Sequence, residues 1–513
     1  MGEIVDPDLK PDEQHPAVYW KVTDKDRARP LPGLFWLTAN GLPMIQLHEP
    51  LDPGEAGMFA SHDAPSLLHG LIMGNTLTLT DLELVISRQS MRSAGPVLVR
   101  YSARMALVGD YWLGDEEADR VFDQVKVRYW DQDRWTETQS VGLQNPTEET
   151  PVSIHHLRPA PIPLACTGGR LEVRDASSWN PTAIHPSSNF HIELDEPTTL
   201  PQLIEDWLLP LQFLLVSATS RYSDVEYMAV RNTNLVFPDK PHNSQVSWLR
   251  VYTSQRKRPA KDLLSGTMLH RLSDFPDGYD FDRVFDVVRT NRFAVGQYSA
   301  VKSDQTGGHL TTFVASAQAV EALDRVAHPD APVGDEGEWS KKVKAALREI
   351  DAPKRIVSSA SYGAKKSYRP SLEARLNRVD ADTGKVVGGI YKSKSWAADL
   401  AAARNVVAHG LENTELLKTD VRGVQAATET YLLLFELRLL TLIGFTAEQA
   451  DSLSSRRGYY WTTVQQLKDG AAHIQALASR SESTAQSLQV SKPRDDPSSN
   501  ASSIEPGGSS PSA

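Results

Sequence analysis

The period of the apolar pattern changes near residue 280, and one secondary-structure class cannot satisfy both sides of that change. Before it, apolar residues alternate with polar ones. Val97, Val99, Tyr101, Ala103, Met105 and Leu107 are separated by neighbours such as Arg100 and Arg104, which is the two-residue period of a half-buried strand. Val125, Val127 and Tyr129 repeat it, as do Phe190, Ile192 and Leu194. Phe35-Trp36-Leu37 and Met44-Ile45-Gln46-Leu47 flank Asn40-Gly41, a dipeptide suited to the positive φ angles of a hairpin. Further strands are predicted at Val225–Val230 and Val246–Tyr252. One helix is predicted to interrupt them, with Thr199 as its cap, Pro201 in its first turn and Pro210 kinking or dividing it.

After residue 280 the spacing becomes three and four. Phe313, Ala317, Val320, Leu323 and Ala327 fall on one helical stripe; Trp339, Val343, Leu347 and Ile350 on a second; Trp396, Leu400 and Val407, with Ser395 as cap, on a third. Two more helices are predicted near Asp420–Phe445 and Tyr459–Ala478. The last 23 residues, Ser491–Ala513, include eight Ser, four Pro and two Gly, too little apolar surface to offset chain entropy, so a disordered tail is expected. The fold class is therefore multidomain α+β: a lead-in at 1–17, a β-rich domain at 18–309 (with room for two subdomains), an all-α helical bundle at 310–480, and the tail at 481–513.

Several function classes drop out. Cys166 is the single cysteine, so neither an internal disulfide nor a Cys-x-x-Cys metal site can form, in keeping with a reducing cytoplasm. No secretion signal is read at the N-terminus. The most apolar stretch, Tyr431–Phe445, is broken by Glu436 and Arg438, so no membrane span is expected. The net charge of −11 argues against a protein that coats nucleic acid, but it divides unevenly. Residues 1–330 carry 30 Lys/Arg and 44 Asp/Glu; residues 331–480 carry 22 and 17; within Ser340–His409 alone the count is 15 and 6. A solvated Lys-rich helix surface would look similar, yet such a local excess beside an acidic domain favours a polyanion site.

Inside that basic stretch lies Ala403-Arg404-Asn405-Val406-Val407-Ala408-His409-Gly410. Asn405 and His409 are four apart and share a helix face, Arg404 sits beside them, and Gly410 offers a stop. The three side chains suit phosphodiester chemistry: His moves protons near neutral pH, Arg offers a planar donor fork for phosphate oxygens, and Asn orients a phosphate or ribose hydroxyl. Arg404-Asn405-x-x-x-His409 on such a helix resembles the Arg-x(4–6)-His signature of HEPN domains. The N-terminal part resembles the β-rich domain that precedes an ApeA-type HEPN domain, through Pro32-Gly33-Leu34-Phe35-Trp36-Leu37, His69-Gly70-Leu71-Ile72-Met73-Gly74, Leu77-Thr78-Leu79, Gly109-Asp110-Tyr111-Trp112 and Val121–Arg128 running on to Trp135.

That resemblance implies a metal-independent, cofactor-free endoribonuclease that dimerises, or forms a higher homo-oligomer, with its signature helices face to face. Carried over, His409 is the general acid/base for attack by the ribose 2′-OH, Arg404 stabilises the phosphorane and Asn405 positions the scissile phosphate. The products would be a 2′,3′-cyclic phosphate and a 5′-OH. The family also implies anti-phage defence by abortive infection, with the N-terminal domain as sensor or regulator of a phage-derived trigger. Two other classes stay open: a non-catalytic HEPN scaffold that dimerises or holds RNA or a protein, and an unrelated small-molecule enzyme in the β region.

Other signals weigh less. Asp382-Thr383-Gly384-Lys385-Val386-Val387-Gly388-Gly389 lacks the first glycine and the Ser/Thr of a phosphate loop and reads as a turn between helices, although Lys385, Lys392 and Lys394 are candidates for touching RNA backbone. His155-His156 and the scattered His48, His62, His69, His185 and His191 have no ligand spacing and read as ordinary histidines.

Overall fold

The computed structural model describes residues 9–21, 30–49, 51, 64–88, 98–114, 116, 120–137, 141–144, 153–156, 159–180, 183–185, 187–234, 247–255, 268–303, 306–329, 336–367, 370–409, 421–455, 465 and 467–475. The tail, Gly410 and most of the lead-in lie outside these residues.

The alternating segments close into a barrel. Strands β1 (His15–Lys21), β2 (Leu31–Leu37), β3 (Pro43–Leu47), β4 (Leu67–Ile72), β5 (Asn75–Arg88) and β6 (Leu98–Gly109) run in the order β6-β3-β2-β1-β4-β5, and β5 pairs back onto β6. Every pairing is antiparallel, and the interior is filled by Tyr19, Phe35, Ile45, Leu68, Leu77 and Tyr101 among others. Tyr19 explains two glycines. A Cβ on Gly33 would lie 2.3 Å from the Gln46 carbonyl and 3.0 Å from the Tyr19 ring, and one on Gly70 would lie 3.1 Å from the same ring. The Asn40-Gly41 turn joins β2 to β3 as its composition requires, with Gly41 at φ +74°.

Beyond β6 the sheet continues through β16 (Leu249–Thr253), β15 (Val225–Arg231), β7 (Val121–Tyr129), β14 (Ser188–Thr199), β11 (Gly169–Asp175) and β10 (Ile162–Leu164). Two ribbons, β8 (Val141–Gln144) with β9 (Ser153–His156) and β12 (Ser178–Asn180) with β13 (Ala183–His185), complete the strands described. One face of the extended sheet is apolar: Val125, Val127, Phe190, Ile192, Leu171, Val230 and Val251 are all buried. Against it pack Trp135, on α1 (Gln132–Thr136), and the predicted interrupting helix. Pro210 divides that helix. An α turn, α2 (Leu200–Leu203), runs into a π turn at Ile204–Leu208 and then α3 (Leu209–Thr219). The π turn re-spaces the backbone ahead of a residue that has no N–H to give. At the start, Gln202 Oε1 accepts from the Thr199 hydroxyl at 3.0 Å.

The helical region opens with α4 (Asp282–Thr290) and α5 (Arg292–Lys302), both ahead of residue 310, and continues with α6 (His309–Ala327), α7 (Glu336–Glu349), α8 (Lys354–Ser367), α9 (Leu372–Asp382), α10 (Val386–Tyr391), α11 (Trp396–His409), α12 (Val421–Leu442) and α13 (Ala447–Ser455). Residues 467–475 are also helical. The stripe of α6 is buried as spaced, with Phe313, Ala317, Val320 and Leu323 inside. The stripe of α7 is not: Val343 and Leu347 are half-buried and Ile350 is 73% exposed, because α7 packs on α8. Helix α12 is buried on nearly every side and forms the axis of the bundle.

The two regions share one continuous core. Tyr298 stacks on Phe435 with centroids 4.5 Å apart, and Phe213 of α3 meets both rings edge-on. Beside them the Glu436 carboxylate accepts from Ser220 (2.8 Å) and Tyr298 (2.8 Å) and pairs with Lys302 (3.1 Å). The acidic residue that breaks the most apolar stretch of the sequence is thus buried because three donors meet it.

Candidate functional site

Helix α11 carries the signature. Trp396, Ala397, Leu400, Ala403 and Val407 bury one face against the bundle, which turns Arg404 and Asn405 toward its margin. The Ser395 hydroxyl donates to Asp399 at 2.9 Å, so Asp399 is engaged at the start of this helix. Asn405 is exposed and Arg404 half-buried. Arg404 Nη1 lies 3.4 Å from Asn405 Oδ1, at the outer limit of a hydrogen bond. His409 is the last residue of α11, one helical turn beyond Asn405; its side chain lies outside those described.

What surrounds Arg404 matters more than what bonds it. Its Nε is buried with no hydrogen-bond partner among the described residues, and no carboxylate there pairs with it. Tyr431 of α12 lies close enough to feel the guanidinium charge. Burial pushes the Tyr431 phenol far above its ordinary range, Arg404 pulls it part of the way back, and Glu321 of α6 pushes it up again. The phenol is therefore neutral and donates to the Leu400 carbonyl at 3.3 Å, one turn before Arg404. Glu321, the nearby acid, is held by Arg325 at 2.6 Å. The result is a guanidinium with donors that no described residue takes up, flanked by a neutral ring and a committed carboxylate. Such a group is available to an anion.

The lysines form a separate place. Lys385 and Lys392 line a cavity of about 560 Å³ with Gly384, Glu448, Asp451 and Lys468. Lys394 is exposed on the loop after α10 and does not line that cavity. No hydrogen bond or ion pair joins the three lysines to Arg404 among the described residues. The glycine-rich segment beside them is a turn, with Gly384 at φ +82° and Lys385 at φ +62°. It does not cradle phosphate: the Val387 and Gly388 N–H groups that would do so donate to the Asp380 carboxylate at 2.9 and 3.1 Å. Burial raises the Asp380 carboxyl above its usual range, and these donors pull it back down.

Two features of the bundle were not anticipated from the sequence. Tyr431 looks like any core aromatic on an apolar stripe. Asp324 of α6, fully buried, holds Arg375 at 3.0 Å and also Arg378. Of the scattered histidines, two are packed into the fold: His69 Nε2 bonds the Leu113 carbonyl at 2.8 Å, and His191 lies against Trp248; His48 is exposed.

Residues 314–449, about a quarter of the chain, match the model of the family described as Apea-like HEPN. The match starts within α6, ends within α13, and includes Arg404, Asn405 and His409. No curated protein and no solved structure matches the chain. The helical region of this chain carries an Apea-like HEPN domain.

Proposed function

We propose that the chain is a metal-independent endoribonuclease, with residues 310–480 as its catalytic domain and residues 18–309 as a sensing or regulatory domain. The observation that carries this reading is Arg404: a buried guanidinium nitrogen with no partner among the described residues, beside Asn405, one turn from a helix-terminal His409, within the segment that matches the family. His409 removes the ribose 2′-OH proton and returns one to the 5′-oxygen leaving group. Arg404 donates to the non-bridging oxygens of the phosphorane, where preorganised charge has most effect. Asn405 aligns the scissile phosphate. The 2′-O–P bond forms, the P–O5′ bond breaks, and a 2′,3′-cyclic phosphate and a 5′-OH result.

In this reading the protein is cytoplasmic and homo-oligomeric, two α11 helices face one another across the oligomer, and Lys385, Lys392 and Lys394 guide the RNA backbone. The role is anti-phage defence by abortive infection, released by a phage-derived trigger. The test is to incubate total RNA with the purified protein in excess EDTA and map new 5′-OH ends. New ends with the wild type and none with His409→Ala support the reading. No new ends from either protein, with RNA still bound, would favour the scaffold alternative instead.

A further inference from the structure

Helices α7 and α8 form a hairpin whose turn is tightly specified. The Ala352 N–H donates to the Leu347 carbonyl at 3.0 Å and the Asp351 N–H to that of Arg348 at 3.1 Å, with Asp351 at φ +49°, the Schellman closure of a helix. Pro353 then leads into α8, its carbonyl accepting from the N–H of Ile356 at 2.8 Å and of Val357 at 3.1 Å. Away from the turn, the Ser340 and Ser361 hydroxyls lie 2.6 Å apart. Val343 and Leu347 are half-buried where α7 packs on α8, and Val357 is buried. That contact leaves a flank of α7 to solvent. Lys341, Lys344 and Arg348 share this flank at i, i+3 and i+7, and all three are exposed.

These cations are not committed inside the fold. Between Ser340 and Ser361 stand six cationic side chains and two acidic ones, Glu349 and Asp351, both exposed. Glu349 lies off the row, about 100° round the helix from Arg348. Lys341, Lys344, Arg348, Lys354 and Arg355 are each exposed, and none has an ion pair among the described residues. Two of them work against the fold. Lys354 and Arg355 fill the first turn of α8, the positive end of its dipole, and no acidic residue stands in that turn to offset them. An anion laid there relieves the repulsion. Along α7 the row runs about 10 Å from Lys341 to Arg348, and the second pair follows across the turn. A row of that length outreaches a single small anion and suits a chain of phosphates. The hairpin leads on into α9, which packs against α11, so the row belongs to the same bundle as the signature.

We infer that the α7–α8 hairpin holds the RNA backbone, with Lys341, Lys344 and Arg348 along one helix and Lys354 and Arg355 at the head of the other neutralising successive phosphates. The choice of RNA as the polyanion rests on the ribonuclease reading, but the hold is measured by binding and not by cleavage. Contacts to phosphate alone carry no base preference. Ile350 and Ile356, 73% and 52% exposed at the tip, supply the contrast. A lipid surface or an apolar protein partner would draw its binding from them, whereas a phosphate backbone draws it from the cations.

The test uses the full chain and a fluorescein-labelled 2′-O-methyl RNA, which 2′-OH attack cannot cleave. Lys344→Glu with Arg348→Glu should weaken binding about tenfold or more and flatten the log–log salt dependence by about 0.7 for each phosphate no longer neutralised on a single strand. Ile350→Ser with Ile356→Ser should leave the affinity within about twofold, since phosphate contacts dominate it. If charge reversal lowers the thermal midpoint, Lys341→Gln with Lys344→Gln reads a smaller loss in the same direction. Binding that the charge variants lose, in a wild-type chain that cleaves no RNA, would defeat the ribonuclease reading and leave this inference standing. Wild-type affinity in the folded charge variants would overturn the inference, whatever the cleavage assay gives. So would equal competition by poly-glutamate of matched charge, or a tighter hold on phosphatidylglycerol vesicles than on RNA that the isoleucine variant abolishes.

Discussion

Two arginines of the same bundle face opposite fates. Arg375 is 1% exposed and lies against Asp324, whose carboxylate also takes Arg378. Arg404 is half-buried, has no carboxylate among the described residues, and keeps its Nε unpartnered beside a neutral tyrosine. A buried charge that meets its counter-ion inside the fold is committed to structure; one that does not is poised for something from outside. The helical region thus separates an ion cluster that stabilises it from a cation that no described carboxylate compensates.

Disabling the second kind of site should have the largest effect. His409→Ala is expected to lower RNA cleavage about 10²- to 10⁴-fold, the usual contribution of a positioned acid/base, with urea unfolding unchanged. The first kind should respond in the opposite way. Asp324→Asn removes the carboxylate charge that Arg375 and Arg378 share and is expected to cost about 3–5 kcal/mol in urea unfolding, while cleavage per folded molecule persists. A variant that unfolds normally would mean the cluster is not structural.

The pH dependence extends the contrast to the β side. His191 is depressed to about 3 in the folded chain, whereas an unfolded histidine titrates near 6.5. The unfolded state therefore binds more protons, so stability present above about pH 6.5 is lost as pH falls toward 3. Lowering pH from 7 to 5 should cost roughly 1–2 kcal/mol, and His191→Gln should remove that part of the loss. The smallest effect belongs to the cavity lysines. Lys385→Ala with Lys392→Ala should raise KM for RNA about two- to threefold and leave kcat alone, since they lie apart from α11.

Much of this was legible in the sequence because periodicity reports burial. The alternation at Val99–Leu107 and the stripe at Phe313–Leu323 became β6 and α6, and Pro210 divided its helix where a missing N–H demands it. Barrel closure was not legible, since it depends on β3 pairing with β6 and β1 with β4, strands distant in sequence. The half-covered stripe of α7 shows a related limit: spacing states which face is apolar and not how fully a neighbour covers it. At the site, Arg404, Asn405 and His409 could be found by type and spacing. Tyr431 could not, because a neutral core phenol and one lying under a guanidinium have the same local pattern.

Whether Arg404 is left uncompensated for a phosphate is decided by the cleavage rate of Arg404→Ala on one defined RNA, read beside its thermal midpoint. A guanidinium reserved for the phosphorane gives a fall of about 10²- to 10³-fold with the midpoint unchanged. Cleavage at the wild-type rate, or a loss that merely tracks a lowered midpoint, would contradict that role.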